Sequence, residues 1–296
     1  MNITASMVKE LRERTSAGMM DCKKALSECD GDMDKAIDWL REKGMSQAAK
    51  KSGRIAAEGL SRVAVEGNTA VIFEVNSETD FVAKNEQFLE LLENIKATLF
   101  TSKPSSLEAA LACENNGETL ETMIVNATAT IGEKITLRRL EVVEKTDDQV
   151  FGAYMHMGGS ISALAVLNGS DAEVAKNIAM QVASMAPQFI NREEMPQSLI
   201  DHERKIQEEI LKNDDTLNSK PENVLKGILE GRVSKTLQEI SLVDQVYFKD
   251  SNLKVGQYVK QANASVQSFI RYVVGEGIEK REENFAEEVM SQINNK

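Results

Sequence analysis

A set of short matches recurs along this chain at one fixed offset, and it limits the fold more than any other feature. Val82-Ala83-Lys84-Asn85 returns as Val174-Ala175-Lys176-Asn177, and at the same offset Gly67 matches Gly159 and Asn76 matches Asn168. The surrounding patterns agree. β-rich residues 60–65 and 69–75 flank Glu66-Gly67-Asn68, and residues 154–157 and 161–167 flank Gly158-Gly159, each a hairpin signal. A helix follows each hairpin. The first carries Phe88, Leu92, Ile95 and Leu99 on one face, with Asn85 as its cap. The second begins near Ser170 and carries Val174, Ile178, Val182 and Met185. The residues thus read as a duplicated β-hairpin–helix unit, with helices and strands both present, an α+β chain.

The rest of the chain attaches to that core. Residues 1–45 read as three short helices. Thr4 caps one with Val8 and Leu11, Gly18 precedes one with Cys22, Leu26 and Cys29, and Gly31 starts one with Met33, Ile37 and Leu40. Gly44 reads as the stop of the third, and the small, polar residues 46–54 as a linker. Helices are expected at residues 105–112 and 119–130 and a strand at 135–144. Residues 199–211 and 223–240 form two amphipathic helices with Ile206, Ile210, Val224, Ile228 and Leu229 at apolar positions. Pro221 suits the start of the second, so the pair reads as a projecting antiparallel αα-hairpin. β character returns at residues 266–274, and a last amphipathic helix is expected at 282–293 with Phe285, Val289 and Ile293.

Charge and composition narrow the function. The 296 residues hold 35 Lys+Arg against 47 Asp+Glu, a net charge of −12, without a long basic run. Phosphate neutralisation needs clustered cations, so general nucleic-acid binding is not expected. No apolar run approaches the ~20 residues a bilayer demands, so no membrane partner is expected either. Met1-Asn2-Ile3-Thr4-Ala5-Ser6 lacks a basic stretch followed by an apolar one, so no secretion signal is expected. Three cysteines without a C-x-x-C fit a reducing, cytoplasmic location. The two histidines, His156 and His202, have no metal-ligand spacing around them, and no phosphate-binding glycine loop occurs. No metal, cofactor or catalytic grouping is therefore expected, and attention moves to binding surfaces.

Residues 76–85 join strand to helix in the first unit. Phe81 and Val82 interrupt this polar stretch, beside Thr79 and Asp80. A loop Phe ordinarily plugs the end of its own sheet. At the repeat offset, however, Phe81 meets Glu173 and Asp80 meets Ala172, so the shared fold does not require an aromatic there. The other reading is a probe for a partner's pocket, where burial contributes ~1.5–3 kcal/mol. Met19-Met20 follow Gly18 at a turn, and two adjacent methionines cannot both enter one small core. One is core and one exposed, or the pair is an adaptable partner contact. His156 lies on a strand between Met155 and Met157, a place where a surface or satisfied histidine is commoner than a ligand. Cys22 and Cys29 read as core. An adaptor that binds proteins through the first helices alone remains an alternative, although it leaves residues 79–82 unexplained.

At these residues the chain resembles bacterial translation elongation factor Ts. LRERTSAGMMDCKKAL (residues 11–26) is similar to the family's first signature, with Ser16 where Gly is common. EVNSETDFVAKN (residues 74–85) is similar to the second, with Ser77 where Cys is frequent, and GEGIEK (residues 275–280) fits as well. The resemblance implies a guanine-nucleotide exchange factor for elongation factor Tu. It implies a UBA-like helical domain and linker (1–54), a core N-subdomain (55–148), a core C-subdomain (149–187 and 241–275), a helical-hairpin dimerisation region (188–240) and a C-terminal helical module (276–296). By the same resemblance, Thr79, Asp80, Phe81 and Val82 are the partner-binding residues that dislocate the Mg²⁺; Asp80 and Phe81 enter the GTPase near its Mg²⁺ and phosphate site, and Phe81 wedges between helices. Arg12, Met19 and Met20 bind its other flank, and His156 faces its phosphate loop, although Met157 replaces a common Gly. The helical arm is implied to contact the partner or to form a homodimer or 2:2 complex.

Overall fold

The computed structural model describes residues 3–15, 17–169, 171–217 and 220–279. The helix expected at residues 282–293 lies outside them. The chain forms two compact units, each mixing helices and strands, so the fold is α+β. One unit draws on residues up to Arg62, on Phe73–Val142 and on the described residues from Val273 onward. The other draws on Val63–Ile72 and Val143–Tyr272.

The first unit starts with α1 (Ala5–Thr15), α2 (Met19–Glu28) and α3 (Met33–Lys51). Along the chain follow β1 (Glu58–Glu66), β2 (Thr69–Ser77), α4 (Glu86–Ser102), α5 (Leu107–Leu111), the short pair β3 (Glu114–Asn115) and β4 (Glu118–Thr119), α6 (Leu120–Ile131) and β5 (Thr136–Glu144); the helices and short strands belong to the first unit, and β1, β2 and β5 each give part of their length to the second. Thr4 accepts the N–H of Met7 at 3.3 Å and so starts α1. Val8, Leu11, Cys22, Ala25, Leu26 and Ala36 make a small core among the first three helices.

The third helix departs from the sequence reading at both ends. Gly31 (φ +82°) only turns the chain, and Asp32 caps α3 by accepting the N–H of Lys35 at 3.1 Å. Gly44 does not stop it. The helix runs on to Lys51, so most of the expected linker is helical. The reason is tertiary. Gly44 is buried where α3 packs on α6, and a Cβ there would stand 3.4 Å from the Cβ of Ala129. That packing offsets the ~1 kcal/mol a mid-helix glycine costs.

The second unit holds β6 (Gln149–His156), β7 (Ile161–Asn168), α7 (Ala172–Met185), α8 (Gln197–Lys212), α9 (Glu222–Ile240), β8 (Val246–Tyr247), β9 (Asp250–Lys254), α10 (Val255–Gln261) and β10 (Ser265–Val273). β6 and β7 pair antiparallel from Gln149–Asn168 to His156–Ile161. α7 lies on both strands, and Ala163, Ala165, Leu167, Ile178 and Val182 fill the space between. α8 and α9 pair as the expected αα-hairpin. Met195, Val233 and Leu237 close its root, and Arg204 bridges to Glu230 along it. Ile206 and Ile210 of α8 and Val224 of α9 remain exposed.

The two sheets share one plan. Their orders are β1-β2-β5 and β6-β7-β10. Each has a central strand buried along nearly its whole length, with its hairpin partner on one side and a later strand on the other. The helices do not keep the sequence offset. β2 reaches α4 through eight residues, whereas β7 reaches α7 through three. Asn85 caps α4, but its match Asn177 is buried inside α7, which Asp171 caps. The four-residue match thus falls on different structural positions. Glu173 is not the counterpart of Phe81; the second unit's short connection has none.

Candidate partner-binding site

The long connection after β2 is fastened at both ends. At its start, the N–H groups of Glu78 and Thr79 donate to Glu133 Oε2 at 3.0 and 2.9 Å, and the Thr79 hydroxyl donates to Glu133 Oε1 at 2.6 Å. The Glu78 carboxylate accepts in turn from the N–H of Lys134 at 2.6 Å and from Arg54 Nη1 at 3.3 Å. At its other end Val82–Lys84 forms one 3₁₀ turn. Lys84 N–H donates to the Phe81 carbonyl at 3.1 Å and Asn85 N–H to the Val82 carbonyl at 2.9 Å. Val82 is buried, and Asn85 Oδ1 accepts from the N–H of Gln87 and Phe88 at 2.8 and 3.3 Å, which starts α4.

Between these anchors stand Asp80 and Phe81. Phe81 is 81% exposed. It therefore does not plug its own sheet, and a ring whose burial is worth ~1.5–3 kcal/mol is left in water. Thr79, half-buried, is held by Glu133, and Val82 is buried.

Met19 and Met20 are also exposed, at 59% and 75%, so neither is core. They lead α2, whose opposite face buries Cys22, Ala25 and Leu26. Burial pushes the Cys22 thiol up, which suits an inert core residue. Arg12 is exposed on α1. His156 ends β6 half-buried, with Nδ1 3.2 Å from the Tyr154 hydroxyl, and Met155 and Met157 beside it are exposed.

A family model described as Elongation factor TS matches residues 78–276. Elongation factor Ts of Acholeplasma laidlawii (strain PG-8A) is 54% identical over 295 residues, which span 99% of this chain and 100% of that relative. The chain belongs to the elongation factor Ts family. Its place is in translation elongation.

In this elongation factor Ts family chain, the stretch at residues 74–85 divides into scaffold and display. Glu74 is fully buried on β2. Its carboxylate accepts from Arg138 Nη1 at 3.0 Å, Arg139 Nε at 2.5 Å, Asn76 Nδ2 at 3.0 Å and Gly275 N–H at 2.9 Å. Burial pushes this carboxyl up, but the four donors together outweigh it and hold it below the usual glutamate range. Gly275 has φ +73°, and a Cβ there would lie 2.1 Å from the Ala57 carbonyl oxygen, so only glycine brings that N–H to Glu74. Glu74 and Gly275 lie in two separate motifs of the sequence, and neither motif shows that one residue binds the other. Glu133 lies in neither motif. The only hint was its place directly after a helix-ending glycine.

Among the described residues no group of His, Cys, Asp and Glu could hold a metal ion. No helix among them is long and apolar enough to cross a membrane. A cleft of about 490 Å³ lined by Arg14, Asp21, Lys43, Glu90 and Asn126 mixes both signs of charge, and Lys43 pairs with Asp21 in it.

Proposed function

We propose that the protein is the guanine-nucleotide exchange factor for elongation factor Tu, and that Phe81 drives the nucleotide out. The observation that carries this reading is an exposed phenylalanine, beside Asp80, on a connection fastened at both ends in a member of the elongation factor Ts family. Phe81 wedges between helices of the GTPase beside its Mg²⁺ and phosphate site, GDP leaves, and GTP binds in its place. Asp80 enters with it, while Thr79 and Val82 hold the loop. Arg12, Met19 and Met20 grip the other flank near the guanine, and His156 faces the phosphate loop.

The chemistry asked of this chain is modest. Exchange needs no proton transfer and no covalent step, so the factor acts by binding and is not itself an enzyme. The Mg²⁺ belongs to the GTPase, and the factor takes no cofactor. By reciprocity, whatever ratio the factor takes from GDP affinity, GDP takes from the factor's affinity. Such couplings are typically ~1–3 kcal/mol, the scale of burying one Phe ring. In this reading α1–α3 form a UBA-like module and the two sheets form the core subdomains. The α8–α9 arm contacts the GTPase or a second copy, as a homodimer or 2:2 complex. The factor works in the cytoplasm without touching nucleic acid.

The test is release of fluorescent GDP from elongation factor Tu, followed by stopped flow. Phe81→Ala should slow the accelerated release by roughly tenfold or more, the loss expected from a ~1.5–3 kcal/mol contact. Equal acceleration by wild type and variant would sink the wedge.

A further inference from the structure

We infer that Glu133 is a positioning residue for the loop that presents Asp80 and Phe81. The inference rests on the function proposed above and names what holds its working part in place. Three donors from two consecutive residues converge on one carboxylate: the N–H groups of Glu78 and Thr79 and the Thr79 hydroxyl. Hydrogen bonds to an ionised acceptor are about twice as strong as neutral ones. Both oxygens are used, so the chain leaving β2 is fixed in direction as well as place. Thr79 is the residue immediately before Asp80, and little freedom remains between the clamp and the exposed ring.

The carboxylate itself sits on a stiff corner. α6 ends at Gly132 in the left-handed conformation (φ +88°), and β5 begins at Thr136. Ile135 N–H donates to Thr128 Oγ1 at 3.1 Å, and Lys134 Nζ donates to the carbonyls of Ser52 and Arg54 at 2.6 and 2.9 Å. Glu78 answers by binding Lys134 N–H, so the clamp is reciprocal. A loop without such a hold would spend much of its time in conformations where Phe81 points elsewhere. Apparent partner affinity and release would then fall in proportion to the competent fraction.

Two measurements on the full chain decide this. The first is amide hydrogen exchange of Glu78 and Thr79 in Glu133→Ala and in Glu133→Gln. Gln keeps the bulk but turns an amide toward converging donors. Both amides should exchange roughly tenfold faster, with α2 and α7 unchanged. Unchanged exchange at these two amides overturns the inference. The second is a double-mutant cycle on GDP release from elongation factor Tu. Glu133→Ala alone should slow release roughly tenfold, and on a Phe81→Ala background it should add clearly less than that, only what Asp80 contributes. A full additional loss on that background also overturns the inference, because Glu133 would then act by a route other than Phe81. If Phe81→Ala alone leaves release unchanged, the proposed function falls, and amide exchange by itself decides whether Glu133 holds the loop.

Discussion

At the scale of single residues, the stretch at residues 74–85 contains a buried charge as well as an exposed ring. Glu74 binds two guanidinium groups, an amide and a backbone N–H with no access to water. Removing one member of a buried ionic group strands the others. Arg138 and Arg139 are partly exposed, which lowers the cost, so Glu74→Ala should destabilise the fold by about 3 kcal/mol in urea unfolding, the low end for broken buried pairs. The pH dependence has a definite sign. Glu74 titrates lower folded than unfolded, so its contribution is complete above the ordinary glutamate range and is lost as pH falls through the folded value. Wild type should therefore lose more stability than Glu74→Gln on going from neutral to acidic pH. A parallel loss in both would show that the charge at Glu74 carries no part of the acid sensitivity.

At the scale of elements, α3 and the connection after β2 show what pattern can and cannot announce. Gly44 leaves room for one methyl group and no more. Gly44→Ala should stabilise α3 by roughly 0.5–1 kcal/mol through helix propensity. Gly44→Leu should cost about 1–3 kcal/mol by forcing α3 away from α6. Thermal unfolding of the two variants checks both signs. The helices α4, α8 and α9 were legible because their apolar spacing is a local fact. Asn85 caps α4 as its side chain predicts. The course of α3 through Gly44 was not legible, because it depends on Ala129, far along the chain. The match of residues 82–85 to 174–177 misled for a related reason. Identical letters can occupy a cap in one copy and a helix interior in the other when the connections differ in length. The exposed loop residues were readable as an oddity of polarity. Glu133, which holds them, was not, since nothing local marks a carboxylate as the acceptor for a strand end some fifty residues earlier.

At the scale of the whole molecule, the surface left uncovered says where assembly is to be sought. Ile206 and Ile210 lie exposed on α8, so Ile206→Ser with Ile210→Ser should change folding stability by no more than about 0.5 kcal/mol per site. If the arm contacts a second copy or the GTPase, the same pair should shift the sedimentation coefficient or weaken the complex. Unchanged sedimentation and unchanged affinity would remove the arm from the assembly. One further consequence follows from α3 being a continuous helix. A flexible tether would let Met19 and Met20 search the partner independently of Phe81, with the second contact paying an entropy cost each time. If both sets touch the GTPase as proposed, a helix of nineteen residues, about 28 Å long, would make them the jaws of a caliper with a preset gap. A GTPase that fits the gap would then be gripped at both flanks at once, and one that does not fit would be refused by both.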